Sequence, residues 1–225
     1  QEEPSYAHAV GAVYRNSDPS DIVVTAAGGL VGEVVQVWKP KQLNTFETEW
    51  GFSCMGYEIS GALGIKMAKP DQDVVVFVGD GSYLLNNTDI YSSVIYDQKL
   101  IIIVCDNGGH MVINRLQLAK GGKEYICNLR AARATNLKFV DFENHAKSMG
   151  ANAETVSSTS ELEAAYKRAK DSDKTYVITI KTHGYEWLEG TAFWESPTLQ
   201  DPITDNNKSA LEDFESGKSK QRKGV

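Results

Sequence analysis

Long apolar runs are missing from this sequence of 225 residues. The longest ones, Val74–Val78 and Leu100–Cys105, have the length of a strand, whereas a membrane-spanning helix needs roughly 20 apolar residues. Basic residues are also scarce, since the formal net charge is -7 at pH 7 and no basic stripe with interleaved aromatic residues occurs. We therefore expect neither a membrane nor a nucleic acid as a partner.

Cysteine is rare as well, with only Cys54, Cys105 and Cys127, and no two of them have the CxxC spacing of a zinc or redox motif. Their odd number and irregular spacing predict reduced thiols and a cytoplasmic setting. Cys54 is interpreted as a packed residue rather than a nucleophile, because nothing near it in the sequence supplies an obvious base.

Apolar runs alternate with segments of helical periodicity along most of the chain. The predicted strands are Ile22–Thr25, Val74–Val78, Leu100–Cys105, Ala151–Val156 and Tyr176–Ile180. The predicted helices are Ala7–Tyr14, Met55–Ala68, Asn87–Tyr96, Phe142–Met149 and Ser160–Lys170. Continuous apolar strands that alternate with helices predict an α/β fold, in which a parallel sheet is covered by helices on both faces.

The starts of two predicted helices carry residues that can satisfy free backbone amides. Ser53 is expected to cap the helix that begins near Met55, because its hydroxyl can accept a hydrogen bond from the first turn. Ser160 and Glu163 have the spacing of a capping box. Between the helices, residues 106–137 contain several glycines and are expected to be irregular.

Three loops leave the carboxyl ends of predicted strands, namely Ala26–Gly32, Gly79–Ser82 and Asp106–Met111. In open parallel sheets, ligands bind outside the carboxyl ends of the strands. The chemistry of this protein is therefore expected in these loops.

Two of these loops carry oxygen ligands suited to Mg²⁺. Asp80 lies between Gly79 and Gly81, and 25 residues (82–106) separate Gly81 from Asn107. That interval has room for one helix and one strand, so both loops reach the same edge of the sheet. There the Asp80 carboxylate, the Asn107 amide oxygen and the carbonyl of Gly109 could together bind Mg²⁺. Glycine lets backbone amides approach a phosphate closely. Taken singly, each loop is more often only a turn.

This pattern of GDG followed by Asn resembles the diphosphate-binding signature of thiamine diphosphate (ThDP)-dependent enzymes. The segment TAAGGLVGEV (residues 25–34) resembles the diphosphate loop of the acetolactate synthase group, and GFSCMGYEISGALG (residues 51–64) resembles its Gly-x-Met-Gly segment. The resemblance implies that Asp80, Asn107 and the Gly109 carbonyl bind Mg²⁺. It implies that the cofactor contacts Gly28, Gly29, Leu30, Ser53, Met55, Gly79, Gly81 and Ser82.

Within this resemblance, Met55 occupies the position of the apolar residue that wedges between the two cofactor rings. The Ser53 carbonyl would accept a hydrogen bond from the aminopyrimidine, and the Met55 amide would meet a ring nitrogen. Without the GDG and Asn pair, Met55 would be interpreted as an ordinary core methionine.

A more specific resemblance, carried by SCMGYE, the GDGSYL loop and THGYEWLEG (Thr182–Gly190), links the chain to the trihydroxycyclohexanedione hydrolases of myo-inositol breakdown. It implies hydrolysis of a carbon–carbon bond in a cyclic 1,2-diketone, a small-molecule substrate. Two alternatives stay open: a decarboxylase or carboligase of 2-oxo acids, and a non-catalytic module that retains the fold. A dinucleotide-binding module is a weaker alternative, because Gly28-Gly29-x-x-Gly32 is not the required fingerprint.

The family's activating glutamate comes from a separate pyrimidine-binding domain, which is not found in this sequence. We therefore expect the chain to be the C-terminal part of a longer or split enzyme, at least dimeric, with residues 1–204 as the domain and residues 205–225 as a polar, mobile tail. The catalytic residues stay unknown at this point. His110, which follows the metal loop, is a candidate, and His183 lies in a plausible lid. The glutamates that could be considered are Glu33, Glu47, Glu49 and Glu58. Glu58 lies inside the helix after Met55 and is interpreted as a solvated or helix-pairing carboxylate.

Overall fold

The computed structural model describes residues 3–134, 136–190 and 198–221. Within these ranges the strands are β1 (Ile22–Thr25), β2 (Phe46–Thr48), β3 (Val74–Gly79), β4 (Ile101–Asp106), β5 (Asn152–Val156) and β6 (Tyr176–Lys181). They form one sheet in the order β2-β1-β3-β4-β6-β5, and every neighbouring pair is parallel.

The described helices alternate with the strands along the chain. They are α1 (Tyr6–Arg15), α2 (Gly28–Val37), α3 (Tyr57–Ala68), α4 (Asp80–Leu85), α5 (Thr88–Ile95), α6 (Met111–Ala119), α7 (Phe142–Ser148), α8 (Thr159–Asp171) and α9 (Asp205–Ser219). A short 3-10 turn, Leu129–Ala131, lies between α6 and α7. None of the described helices is both long enough and apolar enough to cross a membrane.

Both faces of the sheet are buried under helices, as the continuous apolar strands predicted. Phe77 and Ile103 belong to a core that the sheet shares with α1, α2 and α8. Val76 and Ile102 point to the opposite face, where α3, α5 and α7 cover them. Each such side chain contributes about 2 kcal/mol when it leaves water. The predicted α/β fold is confirmed.

The three central strands end at the same edge of the sheet. Val24 pairs with Val76 between β1 and β3, and Val78 pairs with Val104 between β3 and β4. The segments that follow Thr25, Gly79 and Asp106 therefore start side by side. This register brings the loops that follow β1, β3 and β4 to one edge of the sheet.

The loops at this edge are shorter than the sequence predicted. Helix α2 already begins at Gly28 and α4 at Asp80, within segments that were expected to be turns. Helix α6 lies inside residues 106–137, so the prediction of an irregular region was wrong there. The prediction was misled by glycines, which are typical of turns. These glycines lie at the starts of α2 and α4 and, as Gly121-Gly122, just after α6, so they flank the helices and do not interrupt them.

Both predicted helix caps were wrong in position. Helix α3 begins after Gly56, which has φ 95°, a conformation that favours glycine, and Ser53 does not cap it. Helix α8 is capped by Ser158, whose hydroxyl accepts a hydrogen bond from the Glu161 amide at 3.2 Å. The Glu161 carboxylate reaches back to the Ser157 amide at 2.7 Å. The Ser-x-x-Glu pattern occurs twice, at Ser158–Glu161 and two residues later at Ser160–Glu163. The helix begins at the first of the two.

The polar segment that begins at residue 205 was predicted to be a mobile tail. It forms a helix over Asp205–Ser219. Thr204 caps it by accepting the Asn207 amide at 3.2 Å, and Phe214 on its inner face is buried. A single buried stripe suffices to hold a helix whose composition is mostly polar. Residues 222–225 lie outside the described residues, and the division of the chain at residue 204 stays a prediction.

Candidate active site at the carboxyl edge of the sheet

A cleft of about 330 Å³ opens where β1, β3 and β4 end. Its walls come from the starts of α2, α4 and α6, from the loop before α3 and from the first residue of α1. The lining residues are Tyr6, Ala27, Gly28, Gly29, Leu30, Ser53, Met55, Gly79, Asp80, Gly81, Ser82, Gly109, His110, Met111, Val112, Ile113 and Leu116.

The structure brings together almost all of the residues that the sequence analysis predicted for the cofactor and metal sites. The predicted cofactor residues all line the cleft: Gly28, Gly29, Leu30, Ser53, Met55, Gly79, Gly81 and Ser82. Asp80, Gly109 and His110 line it as well. Asn107 borders a small adjoining cavity, which it shares with Tyr6 and Gly29 from the cleft wall.

Asp80 is a buried carboxylate at the base of the cleft, with 4% of its surface exposed. Burial, followed by the negative charge of Asp106, raises its pKa to about 7, although hydrogen bonds from the Gly109 and Gly81 amides act in the opposite direction. The bond from the Gly109 amide to Oδ2 measures 2.7 Å. An ionised carboxylate that is this deeply buried needs a neighbouring positive charge to stabilise it. A cation in the cleft would supply that charge.

Asp106 connects the metal loop to the neighbouring strand. Its carboxylate accepts the Gly108 amide at 3.1 Å and forms an ion pair with Lys181 at the end of β6. The turn that carries Asn107 and Gly109 is therefore fixed to β6 by this ion pair.

Asn107 has an unsatisfied oxygen. Its Nδ2 donates a hydrogen bond of 2.6 Å to the hydroxyl of Tyr6, whereas its Oδ1 is buried and has no hydrogen-bond partner among the described residues. A buried polar atom without a partner is costly, so it indicates a ligand site. A carboxylate and an amide oxygen at one sheet edge are hard ligands of the kind that Mg²⁺ takes when it shares its shell with phosphate. These residues fit the expected metal.

The starts of the helices at the cleft also fit an anion. Ala27 precedes α2 without any side-chain cap on the helix, so amides of its first turn are free to bind phosphate. A Cβ at Gly81 would lie 2.6 Å from the imidazole of His110, too close to be accommodated without a shift. The glycine therefore brings the α4 backbone and the His110 ring into direct contact.

The loop before α3 places Met55 and Ser53 at the opposite wall. Met55 is 38% exposed, and its methyl group lies 3.5 Å from where a Cβ of Gly81 would be. The Glu49 carboxylate shapes the loop by accepting the amides of Phe52 at 2.9 Å and Cys54 at 2.7 Å. The apolar methionine is thus presented to the cleft, as its predicted wedge role requires.

Cys54 is exposed, so its interpretation as a packed residue was wrong. Desolvation and the adjacent Glu49 carboxylate raise the pKa of its thiol, which disfavours the reactive thiolate. The sequence had given Cys54 no catalytic role, and this environment does not activate it.

Glu58 is the functional-site residue that the sequence misjudged most. It was interpreted as a solvated or helix-pairing carboxylate, but it is only 1% exposed. Its two oxygens accept the amides of Ala27 at 3.3 Å and Gly56 at 2.8 Å, and burial raises its pKa. Glu58 thereby links the start of α2 to the loop that carries Met55, and it does not line the cleft.

Glu33 and His183 border the small adjoining cavity, which has a volume of about 30 Å³. The Glu33 carboxylate accepts the Leu188 amide at 2.8 Å, and burial raises its pKa. Arg115 of α6 stacks on the Trp187 ring at 4.0 Å from its centroid. The THGYEWLEG segment is therefore fixed against α2 and α6.

Two features of the cleft escaped the sequence analysis. Tyr6 reaches the site from α1, and no local pattern marks a tyrosine at a helix start as a partner of a residue 101 positions away. Helix α6 contributes an apolar wall, of which Met111 is the most buried residue. The spacing of Met111, Ile113 and Leu116 in MVINRLQLA could have suggested this helix.

Comparison with known proteins agrees with this geometry. Residues 26–180 match the family model of the thiamine pyrophosphate enzyme C-terminal TPP-binding domain. The 3D-(3,5/4)-trihydroxycyclohexane-1,2-dione hydrolase of Halalkalibacterium halodurans is 36% identical over 192 residues, which are 83% of this chain and 30% of that protein. The enzyme of the same name from Lacticaseibacillus casei is 37% identical over 217 residues, 93% of this chain and 33% of that protein.

Among solved structures, a thiamine diphosphate-dependent 4-hydroxybenzoylformate decarboxylase from Rhodococcus jostii RHA1 superposes with a TM-score of 0.68 at 18% identity. The match covers 81% of this chain and 33% of the decarboxylase, so it shows a shared fold. The chain spans about a third of the length of the curated relatives. It belongs to the thiamine pyrophosphate enzymes and contains their C-terminal cofactor-binding domain.

Proposed function

We propose that this chain binds ThDP and Mg²⁺ in the cleft and forms the diphosphate-binding half of an enzyme that hydrolyses a carbon–carbon bond in a cyclic 1,2-diketone. The observation that carries the proposal is the buried Oδ1 of Asn107, which has no hydrogen-bond partner among the described residues and lies in the loop that contacts buried Asp80. Family membership supports the cofactor, and the names of the two hydrolases support the substrate class.

In this proposal Mg²⁺ is bound by the Asp80 carboxylate, the Asn107 amide oxygen and the Gly109 carbonyl. The cation compensates the charge of Asp80, whose pKa of about 7 in the absence of metal reflects burial without a cation. The free amides at the start of α2 would donate hydrogen bonds to the cofactor diphosphate, because the positive end of a helix favours an anion. Gly81 leaves room for the His110 ring against the α4 backbone.

When bound, ThDP supplies an electron sink for the carbon–carbon bond that breaks. The chain's own contribution would be to place this cofactor: Met55 would support its rings, and the Ser53 carbonyl would orient its aminopyrimidine. Helix α6, through Met111, Ile113 and Leu116, forms an apolar wall that excludes water from the cleft. His110 is positioned at the cleft to hold or move a proton on the substrate.

None of the four glutamates considered from the sequence fits the role of the residue that activates the cofactor. Glu58 is engaged with two backbone amides, and Glu33 borders the adjoining cavity instead of the cleft. Glu47 lies on β2 and Glu49 shapes the loop before α3. We therefore propose that a pyrimidine-binding domain, from the same or a neighbouring subunit, supplies this glutamate in an oligomeric enzyme.

The metal assignment is tested by Asp80→Ala, with Asp213→Ala on the exposed side of α9 as the matched control. Titration calorimetry of the full chain should show Mg²⁺-dependent ThDP binding for the unmodified protein and for the control. Binding should be lost in Asp80→Ala, while circular dichroism remains unchanged. Unaltered binding in Asp80→Ala would exclude Asp80 as a ligand.

The substrate assignment is tested by NMR analysis of the products that the complete enzyme, with its pyrimidine-binding domain, forms in the presence of ThDP and Mg²⁺. A cyclic 1,2-diketone and pyruvate are offered separately. Ring opening to an open-chain acid without CO₂ supports the hydrolase. Release of CO₂ from pyruvate would instead identify a 2-oxo acid enzyme, and inactivity with both, despite cofactor binding, would contradict the proposed substrate class.

A further inference from the structure

An asparagine that binds a metal has a requirement that an aspartate does not have. Of the two atoms at the end of its side chain, only the oxygen can ligate a cation, because the nitrogen carries two hydrogens and donates hydrogen bonds. The two orientations of the amide are nearly identical in shape. A buried Asn107 whose oxygen binds the cation therefore needs a neighbour that accepts a hydrogen bond from its nitrogen.

Tyr6 is that neighbour in this structure. Its hydroxyl oxygen accepts the Asn107 Nδ2 hydrogen bond at 2.6 Å, and the opposite atom, Oδ1, stays buried without a partner in the described part of the chain. With the nitrogen facing Tyr6, the oxygen necessarily faces the other way. Tyr6 also lines the cleft, and it lies close to Gly79 at the end of β3.

The position of Tyr6 is fixed from both directions along the chain. Tyr6 is the first residue of α1, whose start is closed by a reciprocal capping box between Ser5 and His8. The carbonyl of Pro4 accepts the amide of His183 at 2.9 Å, so the start of α1 is bound to the segment after β6. The hydroxyl is therefore presented to Asn107 by an ordered part of the fold.

We propose that Tyr6 is a positioning residue for the metal: its hydroxyl oxygen accepts the hydrogen bond of the Asn107 amide nitrogen and so stabilises the orientation in which the amide oxygen is free for the cation. This inference rests on the proposed Mg²⁺ and ThDP site. Tyr6 itself does not contact the metal in this arrangement, and its effect on binding passes through the orientation of Asn107.

The first test is Tyr6→Phe in the full chain, which removes one oxygen and keeps the ring. Mn²⁺ binding in the presence of ThDP is measured by electron paramagnetic resonance of the free ion. Affinity should fall about tenfold, because the buried amide nitrogen loses its acceptor when the amide oxygen binds the cation. Tyr14→Phe is the matched control, since Tyr14 lies on the same helix and packs edge-on against Trp38. It should bind like the unmodified protein.

The second test repeats the change in an Asn107→Asp background. An ionised aspartate has no N–H group that needs an acceptor, so Tyr6→Phe should then weaken Mn²⁺ binding by less than about twofold. The difference between the two backgrounds is the coupling between Tyr6 and the amide of residue 107. Circular dichroism verifies that each variant is folded.

Three results would overturn the inference. Unchanged Mn²⁺ affinity in Tyr6→Phe would show that the hydroxyl is not needed. Equal losses with and without the Asn107→Asp change would show that Tyr6 acts only by supporting the structure. Absence of Mn²⁺ binding by the unmodified protein would instead refute the proposed metal site, which separates that failure from a failure of Tyr6 alone.

Discussion

Replacement of Asp80 by asparagine should make the metal-free protein more stable at alkaline pH. In the folded chain the pKa of Asp80 is raised from 3.8 to about 7 by burial and by the charge of Asp106. The folded state therefore binds this proton more tightly than the unfolded chain does. Stability from this group is complete below pH 4 and is lost as the pH rises through 7. The loss is about 4 kcal/mol for a shift of roughly three pKa units.

Asparagine at position 80 has no charge to desolvate at any pH. Its oxygen can still accept the Gly109 amide, but its buried NH₂ group lacks an acceptor, which costs about 2 kcal/mol. The difference predicts that Asp80→Asn is more stable than the unmodified protein by about 2 kcal/mol at pH 8. At pH 5 much of the loss has not yet occurred, so the advantage should disappear.

The assay is urea unfolding in the presence of EDTA and without ThDP, followed by tryptophan fluorescence at pH 5 and pH 8. Trp38 is a suitable reporter because it is buried against Phe77. Asp213→Asn, at an exposed site of α9, controls for the general effect of removing one negative charge. A stability difference for Asp80→Asn that is the same at both pH values would refute the reasoning. Addition of Mg²⁺ and ThDP should stabilise only the unmodified protein and the control.

Two further predictions concern the cofactor cleft. Met55→Ala should leave unfolding nearly unchanged, because Met55 is 38% exposed, yet it should weaken ThDP binding in calorimetry by about tenfold through loss of the ring support. A crystal structure with ThDP bound and Met55 far from both rings would contradict this role. Gly81→Ala should also weaken ThDP binding, because the new methyl group would lie 2.6 Å from the His110 ring. If that contact is the cause, the double variant Gly81→Ala/His110→Ala should recover binding, and continued weak binding would show that the methyl group blocks the diphosphate directly.

The sequence predicted the fold class because its signals are local. Strands such as Val74–Gly79 and Ile101–Asp106 are continuous apolar runs, and buried parallel strands require this composition. Alternation with helical segments then leaves few arrangements other than a covered parallel sheet. The short edge strand Phe46–Thr48 was missed, since three half-buried residues give no pattern to detect.

Helix starts at the cleft were harder to predict than helix interiors. Gly28 and Asp80 begin helices, although the same residue types also favour turns. Propensity cannot separate the two cases, because neither helix start has a side-chain cap that would mark it in the sequence. The candidate-site residues were nevertheless located, since glycine and aspartate after a buried strand have a defined place in the sheet.

The sequence by itself predicted which residues would bind the metal and the diphosphate. Asp80, Asn107 and Gly109 follow two consecutive apolar runs, and these runs are β3 and β4, which pair in the sheet. The tertiary structure alone decided the strand order and the partners of these residues. Tyr6 accepts a hydrogen bond from the amide nitrogen of Asn107, and Glu58 links the loops at the cleft. Such contacts join residues that are far apart in the sequence, and their energies depend on burial, which exists only after the chain has folded.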